Sequence, residues 1–268
     1  NDALVTRASV STSVTNGAFS SGTGWTLTAT DGATATVSGG YLNLSALARG
    51  SQASGTQTLT IAGGDQNVEH ALRIVVERGP VSFRLGSTSG GDEYIGETTL
   101  RTGTHSLAFT PTGSSAYIQL ISTERSLKRV DSITIEAAGA MSLPTPWAAA
   151  NLGKIRMSQS ADVVFCACAG VAPRRIERRS NRSWSVAMYA PNDGPFQSGR
   201  SANVKLTPSV TAGNGTLTSD GPFFNANHVG ALFKLHHSKV VQTVSLAGPA
   251  VYTDPIRVTG VASETNYN

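Results

Sequence analysis

Two clusters in the sequence could do chemistry. Asp92, Glu93 and Tyr94 follow the glycine pair Gly90-Gly91. A sugar binds an exposed aromatic ring through its apolar face, and polar groups around the ring fix its orientation. Tyr94 with Asp92 and Glu93 is therefore a candidate glycan contact. The same acids with Glu97 could supply the carboxylate pair of glycoside hydrolysis, which needs two acids about 5–10 Å apart. On a glycine-rich loop they read more simply as solvated charges. The second cluster is basic: Arg174, Arg175, Arg178, Arg179 and Arg182 put five arginines into nine residues. Such a run could neutralise phosphates and release their counterions. It could equally pair with carboxylates across a protein interface through its forked guanidinium groups, or mark a solvated strand edge where charge blocks unwanted pairing. The aromatic residues that a single-strand binder would interleave are absent from it. The run therefore reads as an interface or DNA-facing surface.

Metal and nucleophile patterns are weaker. Cys166 and Cys168 have one residue between them, not the two of a zinc knuckle, and no second pair follows. On a strand they fall on one face, too constrained for an easy mutual disulfide, so they read as free thiols packed as small apolar side chains. His236 and His237 are adjacent and would point to opposite faces of a strand. The chain has no G-x-S-x-G elbow, no H-E-x-x-H and no phosphate-binding G-x-x-x-x-G-K-[ST]. An enzyme is not expected, and no organic cofactor.

The elements that position these residues must be strands. Charged residues are only 14% of the 268, against about 25% in an average protein. Apolar residues are spread along the chain and the net charge is only +4, which argues against disorder. No run approaches the roughly 20 apolar residues of a membrane span. Two cysteines exclude a disulfide scaffold. The chain starts at Asn1 without a visible signal peptide, which reads as a processed or internal piece of a longer protein. Residues 1–140 carry 9 Lys and Arg against 11 Asp and Glu, a net of −2, and residues 141–268 carry 12 against 6, a net of +6. The small residues Ala137-Ala138-Gly139-Ala140 mark the change and read as a linker between two domains, 1–140 and 141–268.

In the first part, apolar residues alternate with polar ones: Leu72, Ile74 and Val76; Val81, Phe83 and Leu85; Leu107 and Phe109; Ile133 and Ile135. This is the period of half-buried strands, and glycine-rich turns separate the runs. About eight such strands in 125 residues suit a β-sandwich. Trp25 is expected in its core. In the second part, Thr145 and Pro146 could open one short helix. Asp162 to Cys168 reads as an interior strand and Ser183 to Met188 as an alternating one. Val204–Leu206 and Thr216–Thr218 read as a hairpin around Ala212-Gly213-Asn214-Gly215. Ala231–His236, Val240–Leu246 and Pro255–Val261 supply three more strands. The expectation is all-β throughout, with that one short helix.

Two resemblances add to this. The order Asn16-Gly17-Ala18-Phe19, Gly24-Trp25, Tyr41-Leu42-Asn43-Leu44, Gln57-Thr58-Leu59-Thr60-Ile61, Gly103 to Thr110 and Val130-Asp131-Ser132-Ile133 resembles the jelly-roll carbohydrate-binding-module superfamily over roughly residues 11–136. That resemblance implies a jelly-roll sandwich, a possible host-surface glycan as partner, and a structural Ca²⁺ held by an Asp near the last strand, here Asp131. The partner acid such modules place near the start is missing, since Ser20 follows Phe19. Gln159 to Phe165, Pro173 to Ile176, Ser183 to Val186, Asp193 to Phe196 and Phe224 to Phe233 resemble a stretch of bacteriophage tail proteins, including the tail tubular protein B or nozzle type, over roughly residues 143–240. Cys166-Ala167-Cys168 stands where such sequences often have His-Pro. This second resemblance implies a virion protein of the tail, assembled in a ring with copies of itself and other tail proteins beside passing DNA.

Overall fold

A computed structural model of the chain describes residues 6–47, 50–190, 204–209, 216–224, 226, 232–234 and 255–257. The chain divides into two compact units, 1–190 and 191–268. In chain order the strands of the first unit are β1 (Thr6–Arg7), β2 (Thr26–Ala29), β3 (Thr34–Ser38), β4 (Tyr41–Ser45), β5 (Ala53–Thr60), β6 (His70–Arg78), β7 (Val81–Gly86) and β8 (Ile95–Leu100). They continue as β9 (Gly103–Phe109), β10 (Ser115–Ser122), β11 (Lys128–Ile135), β12 (Gly139–Ala140), β13 (Arg156–Ser160), β14 (Val163–Cys168), β15 (Val171–Ser180) and β16 (Ser183–Met188). The fold is all-β, as the alternation of apolar residues requires.

Two sheets form a sandwich of jelly-roll-like character. One has five strands in the order β2-β5-β10-β7-β8, and the other has nine in the order β13-β14-β15-β16-β9-β6-β11-β4-β3. The alternating residues face each other between them: Leu42, Leu72, Ile74, Phe83, Leu85, Ile118, Leu120 and Ile133 are fully buried. Burying each such side chain contributes about 1.5–3 kcal/mol. Trp25 is 7% exposed and packs on Phe19 at 5.1 Å, as expected of a core residue.

The linker expected at 137–140 contains β12, which pairs with β1. The division of the structure does not fall there. Strand β16 hydrogen-bonds to β9, with Ala187 opposite Gly103 and Trp184 opposite Ser106. The sheet therefore continues from the first part of the sequence into the second, and the first unit ends at Ala190. Composition could not show this, because the joining contact is backbone pairing between residues about 80 apart in sequence. The expected short helix is a 3₁₀ turn, Ala149–Lys154, preceded by Ala148 with no side-chain cap. Thr145 and Pro146 lie ahead of it and do not start it.

In the second unit, β17 (Leu206–Pro208) pairs with β18 (Leu217–Ser219), and β19 (Leu232–Lys234) with β20 (Pro255–Arg257). The first pair is the expected hairpin, displaced by one or two residues. Its loop, the strand expected at 240–246, His236 and His237 lie outside the described residues.

Candidate functional site

The loop after β7 is folded tightly back on its strand. A Cβ on Gly86 would come within 2.3 Å of the Gly91 backbone, so only glycine fits there. Glu93 accepts a hydrogen bond from the Ser87 backbone N–H at 2.9 Å. Its own backbone N–H and that of Ser87 hold its carboxyl below the usual range. Tyr94 is half-buried, not the exposed platform expected of it. Its ring packs on Phe109 at 6.3 Å, and its hydroxyl accepts from the Thr112 N–H at 3.3 Å. The residue alternation of β8 begins just after it, and this draws the ring inward. Asp92 is exposed beside it. Of the three glycan candidates, then, Glu93 staples the loop, Tyr94 wedges the core edge, and only Asp92 stands free in solvent.

The outer face of the five-stranded sheet is the better-built polar surface. Register places Thr26 beside Thr56, Thr56 beside Gln119, and Gln119 beside Arg84. One step along, Thr58 lies beside Tyr117 and Tyr117 beside Gly86. Arg84 donates to the Gln119 side-chain oxygen at 2.7 Å, and its guanidinium lies 3.7 Å from Glu97. A groove of about 340 Å³ opens here, lined by Thr26, Thr56, Thr58, Ser89, Gly90 and Tyr117. Half-buried Tyr117 thus stands among hydroxyls, an amide and a guanidinium. This chemistry suits a ligand rich in hydroxyl groups. The signal was present in the sequence as polar residues at alternate positions on β5, β7 and β10, but only strand register shows that they converge.

The arginine run splits between roles because β15 alternates. Arg179 donates to Ser185 Oγ at 2.7 Å, Thr98 Oγ1 at 2.8 Å, the Thr99 carbonyl at 2.9 Å and Glu177 at 2.9 Å. It ties β15 and β16 to β8 of the opposite sheet. Beside it, buried His105 shares hydrogen bonds with Ser185 Oγ and the Arg101 carbonyl, both at 2.8 Å. Burial, with the Arg179 charge nearby, pushes its pKa down to about 4. Arg175 lies against Glu177 and over the Phe165 ring at 6.0 Å. Arg182 pairs with Glu69. Glu69 also binds buried Arg7 at 3.0 Å, and Arg7 and Arg73 share Glu136, each at 2.8 Å. Burial works to raise the Glu136 pKa, but hydrogen bonds from Ser106, Arg7 and Arg73 hold it below its ordinary value. Four of the five arginines are thus partners of acids in this chain. The fourth, Arg178, is exposed and pairs with exposed Asp162 at 3.4 Å, while half-buried Arg174 donates to the Ala172 and Pro173 carbonyls. The run does not form one basic surface.

Asp131 is the residue left out of the β6–β11 ladder by a bulge, and its carboxylate accepts from Ser132 Oγ at 3.1 Å. Calcium takes six or more oxygens and usually several carboxylates. Among the described residues no group of three or more His, Cys, Asp and Glu comes together. Cys166 and Cys168 are both free thiols; Cys166 is buried at 2% exposure and Cys168 half-buried. A register shift between them interrupts the alternation that would have buried both.

No protein-family model matches the chain, and no curated protein matches it.

Proposed function

We propose that this chain is a structural component of a bacteriophage tail. It assembles with copies of itself in a ring that forms or decorates the DNA passage, and other tail proteins are its neighbours. The observation that carries the reading is the way the phage-like stretch is built. Strands β13–β16 are joined edge-on to the sandwich sheet and clamped to it by Arg179 and by the Arg7–Glu69–Arg182 pairs. That gives a building block whose later strands are held to the sandwich by buried ion pairs and hydrogen bonds. Arg174, whose guanidinium donates to two backbone carbonyls and pairs with no acid among the described residues, is the arginine of the run left to meet DNA or a neighbouring protein. An electron cryomicroscopy reconstruction of the particle containing this chain tests the reading. A symmetric ring around the DNA path is the expected result. A single copy at the periphery, or absence from the particle, overturns it.

A second reading, host-surface glycan binding by the sandwich, is supported by the Tyr117–Gln119–Arg84 face. Titration with host surface polysaccharide should then show binding that Tyr117→Ala weakens about tenfold or more, the loss of a stacked ring. Tyr94→Ala, at a wedge in the core edge, should leave that affinity unchanged in the folded protein. Absence of binding to any surface polysaccharide removes the reading.

A further inference from the structure

Beyond β9 the nine-stranded sheet continues through β16, β15 and β14, while the five-stranded sheet ends at β8. At this border three guanidinium groups meet one carboxylate. Glu177 lies between two of them, with Oε1 2.5 Å from Arg175 and Oε2 2.9 Å from Arg179. Arg101 is the third. Its carbonyl binds the His105 ring at 2.8 Å, and the next carbonyl, of Thr102, accepts from the Met188 N–H at 2.7 Å. The backbone thus brings Arg101 beside Tyr189, one same-face step from Ala187, the residue opposite Arg175. Burial lowers the Arg179 pKa; Glu177 opposes that, and the charges of Arg175 and Arg101 add to it. Arg179 commits its donors to Ser185, Thr98, Thr99 and Glu177. The other two arginines do not. Arg175 Nε is buried and makes no aligned hydrogen bond. Neither the terminal nitrogens of Arg175 nor the Arg101 guanidinium has an acceptor among the described residues. The Phe165 ring lies 6.0 Å from the Arg175 guanidinium, and Tyr189, 40% exposed, stands edge-on to Phe165 at 5.3 Å.

We infer that Arg101 and Arg175, backed by Arg179, form a phosphate-binding site at this border. Three guanidinium groups and one carboxylate leave two positive charges in a half-buried place, where like charges repel more strongly than in water. A bound anion offsets that repulsion. A carboxylate brings one charge and two oxygens. A phosphate group brings about −1.5 to −2 charges at pH 7 and three acceptor oxygens, which matches both the net charge and the unused donors. Guanidinium forks bind phosphate oxygens through pairs of parallel hydrogen bonds. The backbone that carries Arg101 is held by His105, and Phe165 lies against Arg175, so the donors are in place before a ligand arrives. The site takes from the arginine run only the two members on the sandwich side of β15 and adds one from the end of β8. It does not rest on assembly in a ring, and the two can fail separately.

Isothermal titration calorimetry of the whole chain with inorganic phosphate, in chloride buffer of low ionic strength, tests the inference. Saturable binding of one phosphate with a Kd of about a millimolar or tighter is expected. Arg101→Gln removes a guanidinium that has no partner among the described residues. Its urea unfolding midpoint should therefore stay the same, while phosphate affinity falls about tenfold or more. Arg175→Gln should weaken binding to a similar extent, and Arg178→Gln, on the opposite face of β15, should leave it unchanged. A short DNA duplex is the second titrant. Duplex binding that Arg101→Gln weakens traces the ligand to backbone phosphates, and binding of inorganic phosphate alone marks a free anion. Acetate that binds as tightly as phosphate makes this a carboxylate site and overturns the inference. Absence of binding to both phosphate and duplex overturns it too, as does binding that neither Arg101→Gln nor Arg175→Gln weakens.

Discussion

His105 is sealed between β9 and β16 as a neutral ring, and its neutrality has a consequence for stability. Its pKa in the folded protein is about 4, against about 6.5 in an unfolded chain. Above pH 6.5 both states hold it neutral and nothing is lost. As the pH falls below 6.5 the unfolded chain takes up a proton that the folded chain refuses, so stability drops until the folded pKa is reached. Between pH 6.5 and 5 the expected loss is about 2 kcal/mol. Urea unfolding midpoints across that range check it, and His105→Gln should flatten the dependence. Glu136 acts in a lower window: its depressed pKa adds stability above the unfolded carboxyl value, lost as the pH falls through the folded one. Arg179→Met tests the neighbouring clamp. It strips partners from Glu177, Ser185 and Thr98 at once. Glu177 keeps Arg175 beside it, so the expected cost is that of lost hydrogen bonds to a charged group, about 1.5–3 kcal/mol, read from the unfolding midpoint. None of this was legible in the sequence. Arg179 looked like its neighbours in the run, and His105 sat unmarked in an alternating strand.

At the scale of elements, the strand alternation was legible and the pairing was not. Strands β6, β7, β9 and β11 fall on the runs their apolar residues mark, because burying one face of a sheet forces period two. The joining of β16 to β9 depends on Gly103, which no periodicity singles out. Gly103 has φ +145°, and a Cβ there would meet the Val186 carbonyl oxygen at 2.3 Å and the Ala187 Cα at 2.6 Å. Gly103→Ala should therefore push β16 away from β9. We expect a loss of about 1–3 kcal/mol, the cost of overpacking a tight contact. Amide exchange should become faster across Trp184–Ala187 while β6 and β11 keep their protection. Tyr94 is the counterexample among site residues. Its place in a Gly-Gly-Asp-Glu-Tyr loop suggested exposure, yet it immediately precedes β8 and packs against the core.

At the scale of the molecule, the sandwich and the strands that follow it are one cooperative body. Cutting the chain at residue 140 would expose the β9 edge that β16 covers and leave His105 without Ser185. It would also take from Arg7 its bond to the Arg182 carbonyl. A fragment 1–140 should accordingly aggregate or unfold at a lower denaturant concentration than a fragment 1–190, which should unfold in a single transition. Differential scanning calorimetry of the two fragments distinguishes these outcomes. The shift of net charge at residue 140 is real in the sequence, but charge is a property of the surface and does not mark where a sheet ends.

The sequence by itself determined the all-β class, the core residues and the turn positions, because these follow from local alternation and from where glycine and proline interrupt it. Tertiary structure alone decided which strands are neighbours, and with that which side chains share a face. Arg84, Gln119 and Tyr117 share one face because β7 and β10 are paired in a particular register. The five arginines separate because β15 alternates beneath partners distant in sequence, Glu69 and Thr98 among them. Contacts between residues far apart in the chain leave no period behind them. Their cause lies in the packing of whole sheets, which a single sequence does not display.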